Sequence, residues 1–250
     1  MASVETGSGL SCQLQHPGGD GVACLGGGGA AAHVPGADGA AAQGLLHRPL
    51  HQGPQLRLPD ALQQQAAGED GGADPLPAMT DSLRKLEACG ADCIIMPCTT
   101  AHYFLPRLQA LTEVPFLSML EATAKTCADR FPDGTAAVLA TKGTLAAGLY
   151  QAALEKEGVS FLIPEDAEQD ALMRVIYDGV KAGKGPEDYR ADMEAVAEAL
   201  TVRGADYFIL GCTELPLAAQ ALSLPQPVVD PTAELAKAAI RFCGYGIKSV

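Results

Sequence analysis

The sequence has few basic residues and no long apolar run. Its 250 residues include 17 Lys and Arg against 30 Asp and Glu, which gives a net charge of −13. Such an acidic chain is repelled by nucleic-acid phosphates and by anionic membrane surfaces, so neither is an expected partner. No run approaches the about 20 apolar residues of a membrane-spanning helix, and the N-terminus lacks the pattern of a secretory signal. We therefore expect a cytoplasmic protein.

Paired cysteine motifs are also missing. The eight cysteines form no CxxC pair, and Cys89 and Cys93 are not followed by a second pair at metal-ligand spacing. A metal site is therefore not expected. In a reducing cytosol the cysteines should be free thiols, and most should be small buried apolar residues.

Residues 1–73 lack the residue types that build strands. This stretch has no Ile, Phe, Tyr or Lys, only three Val and one Thr, and 16 of the 28 glycines. Strands draw on β-branched and aromatic residues. We therefore expect residues 1–73 to be an atypical, poorly ordered segment without regular strands.

From Asp74 onward, short apolar runs alternate with stretches of helical periodicity. The apolar runs are typical of buried parallel strands, and they are CIIMP (93–97), VPFLS (114–118), AAVLA (136–140), VSFLIP (159–164), YFILG (207–211) and PVVD (227–230). The stretches between them predict helices, for example over 119–130, 145–157 and 186–203. This alternation predicts an α/β fold with parallel sheets flanked by helices.

Two parts of the chain repeat one another. GADCIIMPCTTA (90–101) and GADYFILGCTEL (204–215) each place a cysteine eight residues after a glycine, with a threonine directly after the cysteine. The match continues in VPFLSMLEATAK (114–125) and QPVVDPTAELAK (226–237), each with a lysine ten residues after its proline. Chance does not produce a spaced match of this length, so we infer two related structural units.

The repeat places Cys98 and Cys212 at equivalent points, just past the carboxyl ends of two predicted strands. Open α/β sheets bind ligands beyond that edge, so two facing halves would put one thiol on each side of a shared cleft. The Cys-Thr loop also begins a helix, whose N–H groups and dipole we expect to lower the thiol pKa. We therefore treat both cysteines as candidate catalytic residues.

Four motifs resemble those of the aspartate/glutamate racemase family. MPCTTAH (96–102) and GCTELP (211–216) resemble its paired signatures, and GCTELP favours the aspartate racemase branch. LATKGT (139–144) resembles its third signature, and IYDGVKAG (176–183) resembles its lysine-bearing segment. The first 70 or so residues do not match the family, because its GGMGP-like turn and its carboxylate-binding Arg have no convincing counterpart there.

The resemblance implies a racemase that inverts aspartate or glutamate at Cα and needs neither a cofactor nor a metal. Cys98 and Cys212 would be its two bases, one as thiolate and the other as thiol. The residues that would bind this small amino diacid are Thr99, Thr100, Thr141, Thr144, Lys181, Thr213 and Glu214. The hydroxyls would donate to carboxylate and developing negative charge, and the lysine would pair with the side-chain carboxylate.

Three residues near these motifs have more than one possible role. Lys181 could be an exposed lysine at a helix end, and Glu214 could meet the substrate ammonium or simply begin a helix. His102 could tune Cys98 or be structural. The family resemblance also implies a homodimer.

The repeat and the resemblance together predict two pseudo-symmetric lobes with the active site in the cleft between them. The first lobe would comprise residues 74–114 and 225–250, and the second residues 115–224. Three other functions stay open: a related cysteine-dependent enzyme such as a hydantoin racemase, a maleate isomerase or an arylmalonate decarboxylase; an inactive remnant with a damaged N-terminal half; or a thiol redox or metal protein.

Overall fold

The computed structural model describes residues 2–5, 11–14, 22–24 and 74–247. In this part of the chain the helices are α1 Leu76–Ala88, α2 Leu105–Gln109, α3 Met119–Arg130, α4 Lys142–Ala146, α5 Leu149–Lys156, α6 Asp166–Arg174, α7 Pro186–Val202, α8 Leu215–Gln220 and α9 Pro231–Phe242. A 3₁₀ helix, Thr100–Phe104, leads into α2, and a π-helical turn, Val175–Val180, follows α6.

Two parallel sheets organise the described residues. The strands are β1 Ala2–Glu5, β2 Ser11–Leu14, β3 Val22–Cys24, β4 Cys93–Ile95, β5 Phe116–Leu117, β6 Thr135–Leu139, β7 Ser160–Leu162, β8 Tyr207–Leu210 and β9 Val228–Val229. The first sheet has the order β3-β4-β5 and the second the order β7-β6-β8-β9, with every pair parallel. This architecture confirms the predicted α/β fold with parallel sheets flanked by helices.

The expectation that residues 1–73 contain no strand is wrong. β1 and β2 form an antiparallel pair, and β3 pairs in parallel with β4, with Val22 opposite Cys93. The edge of the first sheet offers unpaired backbone groups to an extended segment, so a stretch poor in β-branched residues can still supply a short strand. The rest of the predicted poorly ordered segment lies outside the described residues.

The predicted lobe boundaries do not follow the strand pairing. β5 pairs with β4 in the first sheet, although the prediction places residues 115–224 in the second lobe. β9 pairs with β8 in the second sheet, although the prediction places residues 225–250 in the first lobe. In each half of the repeat, the strand after the cysteine loop pairs in parallel with the strand before it, as sequential strands commonly do.

Local sequence explains where the elements begin and end. The predicted helix over 145–157 is divided, because Gly148 has a left-handed φ of 66° that separates α4 from α5. The helices that follow the two repeated strands are capped alike: Ser118 accepts from the Glu121 N–H before α3, and Asp230 accepts from the Thr232 N–H before α9.

The repeat-related helices α3 and α9 pack against one another. Glu234 of α9 is only 4% exposed, and its carboxylate accepts from Thr126 of α3 at 2.8 Å and from Lys237 at 2.7 Å. A buried carboxylate is tolerated when it is paired and hydrogen-bonded. The contact therefore joins α3, which follows β5 of the first sheet, to α9, which follows β9 of the second sheet.

His102 ties the first cysteine loop to the start of α3. Its Nδ1 lies 2.9 Å from the Cys98 carbonyl oxygen, and its Nε2 accepts from the Met119 N–H at 3.0 Å. Together these contacts require the neutral Nδ1–H tautomer. Burial lowers the pKa of His102 to about 4. In this structure His102 is therefore neutral, and its two hydrogen bonds hold the loop backbone in place.

Among the described residues, none of the helices combines the length and apolar character that crossing a membrane would require.

This neutral His102 makes stability depend on pH in a defined window. The folded-state pKa of about 4 lies below the ordinary value of 6.5, so protonation favours the unfolded chain as the pH falls. We expect the contribution of His102 to the free energy of unfolding to be complete above pH 6.5 and to fall by about 3 kcal/mol as the pH approaches 4.

Urea denaturation of the wild type and His102→Gln at intervals from pH 4 to pH 8 measures this dependence. The other four histidines are present in both proteins, so the difference between the two curves isolates His102. We expect that difference to grow from pH 4 to 6.5 and then to level off. A difference that stays constant across the whole range would contradict the neutral, buried assignment.

Candidate active site

The first cysteine loop follows β4 directly. Cys98 is partly exposed, and the chain turns into the 3₁₀ helix immediately after it. The backbone N–H groups of Thr100 and Ala101 are oriented so that they lower the pKa of its thiol. The start of a short helix therefore supplies the donors that the sequence predicted around a thiolate.

The second cysteine loop follows β8 and carries a carboxylate beside the thiol. The Cys212 thiol donates to Glu214 Oε2 at 2.8 Å, and the Thr213 hydroxyl donates to the same oxygen at 3.0 Å. Lys181 Nζ lies 3.6 Å from Glu214 Oε1, with the two side chains 28% and 20% exposed. Four predicted site residues thus form one partly open cluster.

Both cysteines lie within electrostatic reach of the same two charges. The Glu214 carboxylate raises, and the Lys181 ammonium lowers, the pKa of Cys98 as well as that of Cys212. The two loops are 114 residues apart in the sequence, yet they share one charged pair. The charged pair therefore acts on the thiols of both repeated Cys-Thr motifs.

The expectation that the thiol pKa is lowered is wrong, because the net shift of the pKa is upward. Burial raises the pKa of both Cys98 and Cys212, and the negative charge of Glu214 adds to this rise. The backbone N–H donors act in the expected direction, but they do not outweigh burial. Both residues are free cysteines, and the raised pKa favours the protonated thiol, so forming a thiolate requires a nearby proton acceptor.

Three threonine hydroxyls form a chain that connects the two sheets. Thr100, after β4, lies 2.9 Å from Thr144, and Thr144 lies 3.0 Å from Thr141, after β6. Thr141 also caps α4, and Thr144 is fully buried. In this structure Thr141 and Thr144 use their hydroxyls to hold the loops together, and their predicted contact with a substrate carboxylate stays a prediction.

Thr99 packs at the back of the site against a tyrosine that the sequence did not single out. Its hydroxyl lies 3.5 Å from the Tyr150 hydroxyl and donates to Met119 Sδ at 3.4 Å. The Tyr150 ring rests on Gly211, where an added Cβ would lie 2.6 Å from ring atom Cε2. Gly211, directly before Cys212, therefore leaves room for the Tyr150 ring. This glycine is the sequence feature that could have indicated a bulky neighbour at this point of the site.

Comparisons with known proteins point to one family. The profile of the family described as Asp/Glu/Hydantoin racemase matches residues 37–239. The broad specificity amino-acid racemase RacX of Bacillus subtilis (strain 168) is 31% identical over 163 residues, which are 65% of this chain and 70% of that protein.

Solved structures of similar proteins include aspartate racemases. The aspartate racemase of Picrophilus torridus is 26% identical, with a TM-score of 0.60 over 74% of this chain and 76% of that one. An aspartate racemase homologue from Pyrococcus horikoshii OT3 is also 26% identical, with a TM-score of 0.58 over 67% of this chain and 74% of that one. The resemblance inferred from the motifs is confirmed: this chain belongs to the Asp/Glu/hydantoin racemase family.

Proposed function

We propose that this chain is an amino-acid racemase that inverts aspartate, or the related amino diacid glutamate, at Cα without a cofactor. The observation that carries the proposal is that the two repeated cysteine loops meet at Tyr150. Its hydroxyl lies 3.5 Å from that of Thr99, next to Cys98, and its ring lies against Gly211, next to Cys212. A pair of acid–base groups can serve opposite faces of a planar carbanion. A single base would return the proton to the face from which it came.

The proposed reaction removes one proton from Cα and then adds another proton to the opposite face. One thiolate removes the Cα proton, forming an S–H bond while the electron pair of the broken C–H bond delocalises into the α-carboxylate. The opposite thiol then gives its proton to the other face of the carbanion and becomes the thiolate. Cys98 and Cys212 exchange roles with the hand of the substrate, so both directions use the same two groups.

Glu214 is the proton acceptor that the buried thiols need. Its carboxylate already accepts the Cys212 hydrogen bond at 2.8 Å, so moving that proton to oxygen leaves a Cys212 thiolate and a neutral carboxylic acid. Entry of a substrate ammonium beside the new thiolate would compensate its charge. Lys181 would then be released from its ion pair with Glu214 to meet the side-chain carboxylate of the substrate.

The amino diacid assignment rests on charge and on the relatives. Thr100 and Thr213 are hydroxyl donors beside the two cysteines, suited to an α-carboxylate, and Lys181 supplies the cation for a second carboxylate. One similar protein is an aspartate racemase, whereas another is a broad specificity amino-acid racemase. Turnover should therefore be measured with aspartate, glutamate and neutral amino acids in both hands.

We expect Cys98→Ala and Cys212→Ala each to slow aspartate racemisation by about 10²- to 10⁴-fold or more while leaving the fold intact. Each variant keeps one base, so it should still exchange the Cα proton of one hand of aspartate with deuterium from solvent, without net inversion. Chiral chromatography and mass spectrometry of aspartate incubated in D₂O measure both effects.

Cys89→Ala is the matched control, because Cys89 is an exposed cysteine of the same chain at the end of α1. It should leave racemisation unchanged. Near-normal turnover in either Cys98→Ala or Cys212→Ala would disprove the two-base assignment. A wild type that turns over no amino acid would instead support the inactive-remnant alternative.

Glu214→Gln should have opposite effects on the rate of thiol alkylation and on the rate of racemisation. The substitution removes the negative charge that raises the pKa of both cysteines, so alkylation of Cys212 by iodoacetamide at neutral pH should become faster. Racemisation should become about 100-fold slower, because an amide cannot accept the thiol proton.

Glu198→Gln, an exposed position on α7, controls for the loss of one surface carboxylate. It should change neither rate. Unchanged racemisation in Glu214→Gln would contradict the role of proton acceptor, and slower alkylation would contradict the assignment of Glu214 as a charge that raises the thiol pKa.

A further inference from the structure

The π-helical turn before Lys181 sets the direction of its side chain. The Lys181 N–H donates to the Ile176 carbonyl at 3.0 Å, a bond from residue i+5 rather than i+4. The extra residue rotates the next part of the chain by about 100° relative to a continuous α-helix. The turn packs closely on α7, because a Cβ on Gly179 would lie 2.7 Å from the Tyr189 ring. This π turn is therefore built into the packing of the second sheet's helices.

Among the residues that the structure describes, two groups contact the Lys181 ammonium at the end of this turn. Nζ lies 4.3 Å from the centroid of the Tyr177 ring and 3.6 Å from Glu214 Oε1. Tyr177 is half-buried against the core formed by α6, α7 and the second sheet, so its ring is held on one side by packing. The ammonium lies over the aromatic face of a fixed residue.

The ring and the carboxylate hold the ammonium in different ways. A partly exposed ion pair at this distance contributes little on its own and leaves a long lysine side chain mobile. A second carboxylate would fix the lysine better, but its negative charge would repel an anionic ligand. An aromatic face attracts the cation through its quadrupole and carries no net charge, so the ammonium stays available to an incoming carboxylate.

We propose that Tyr177 is a positioning residue that holds Lys181 beside Glu214 at the second cysteine loop and thereby selects substrates with a side-chain carboxylate. This inference rests on the proposed racemase function for its substrate. Its physical part, a cation held by the ring beside the carboxylate that contacts Cys212, does not depend on turnover. Loss of the ring would leave Lys181 held by Glu214 alone and free to move towards solvent.

The kinetic test compares Tyr177→Leu with Tyr177→Phe. Tyr177→Leu should raise the KM for aspartate about three- to tenfold, a range that follows from the strength of a partly exposed cation–π contact. The change in kcat should be smaller, and the KM for a neutral amino acid should stay within twofold of the wild type. Tyr177→Phe keeps the aromatic face and should restore the aspartate KM to near the wild-type value.

A charge probe tests the positioning without any turnover. Iodoacetate carries a carboxylate and iodoacetamide does not, so the ratio of their alkylation rates at one thiol reports the positive charge near it. We expect Tyr177→Leu and Lys181→Met to lower this ratio at Cys98 and Cys212 severalfold, and Tyr177→Phe to preserve it. The ratio at Cys89, resolved by peptide mass spectrometry, is the internal control and should not change.

A third measurement covers the case in which Tyr177→Leu does not fold. Phenylalanines with increasing numbers of ring fluorines at position 177 keep the shape and weaken the quadrupole stepwise. The iodoacetate-to-iodoacetamide ratio at Cys212 should fall with each added fluorine. A ratio that shows no trend with fluorination, or that is the same in Tyr177→Leu and the wild type, would overturn the proposal whether or not the chain racemises aspartate.

Discussion

The hydrogen bond between the Thr100 and Thr144 hydroxyls is the contact on which the candidate site depends. Thr100 lies in the loop after β4 of the first sheet, and Thr144 lies in α4 after β6 of the second sheet. Each sheet alone would present one cysteine loop at its carboxyl edge. The hydroxyl chain, together with the packing of α3 on α9, fixes the two edges relative to one another. Two loops from distant parts of the sequence can then share Glu214 and Lys181.

Burial of the cysteines opposes the formation of a thiolate, and the charged residues Glu214 and Lys181 provide a way to form one. Removing thiols from water favours their neutral form, which suits the proton donor of a two-base reaction but not its proton acceptor. Glu214 can take a proton from Cys212, and Lys181 opposes the repulsion between that carboxylate and a thiolate. Backbone N–H groups lower the thiol pKa in both loops, whereas the carboxylate that is hydrogen-bonded to a thiol lies in the second loop. The repeat is thus symmetric in its cysteines and asymmetric in the groups that adjust their protonation.

Sequence patterns predicted what depends on local and repeated features. The parallel strands, the bounds of α3 and the two cysteine loops follow from apolar runs, helical spacing and the internal repeat. The net pKa of the thiols could not be predicted, because burial is a property of the whole fold. Tyr150 and Tyr177 were missed for a similar reason: each acts through a partner, Thr99 or Lys181, whose position only the packing determines. The prediction assigned β5 and β9 to the wrong lobes because strand pairing decides which sheet a strand joins, and the positions of the repeated motifs do not reveal it.

The fate of the transferred proton during the first few per cent of turnover tests the central claim most directly. L-Aspartate with protium at Cα is incubated with the wild type in D₂O. The two enantiomers are then separated, and their masses are measured by mass spectrometry. With two bases, the proton given to the product comes from a thiol that has exchanged with solvent. We therefore predict D-aspartate that is almost fully deuterated at Cα beside residual L-aspartate that is almost unlabelled. D-Aspartate that retains the substrate's own Cα proton would show one group working on both faces and would contradict the account.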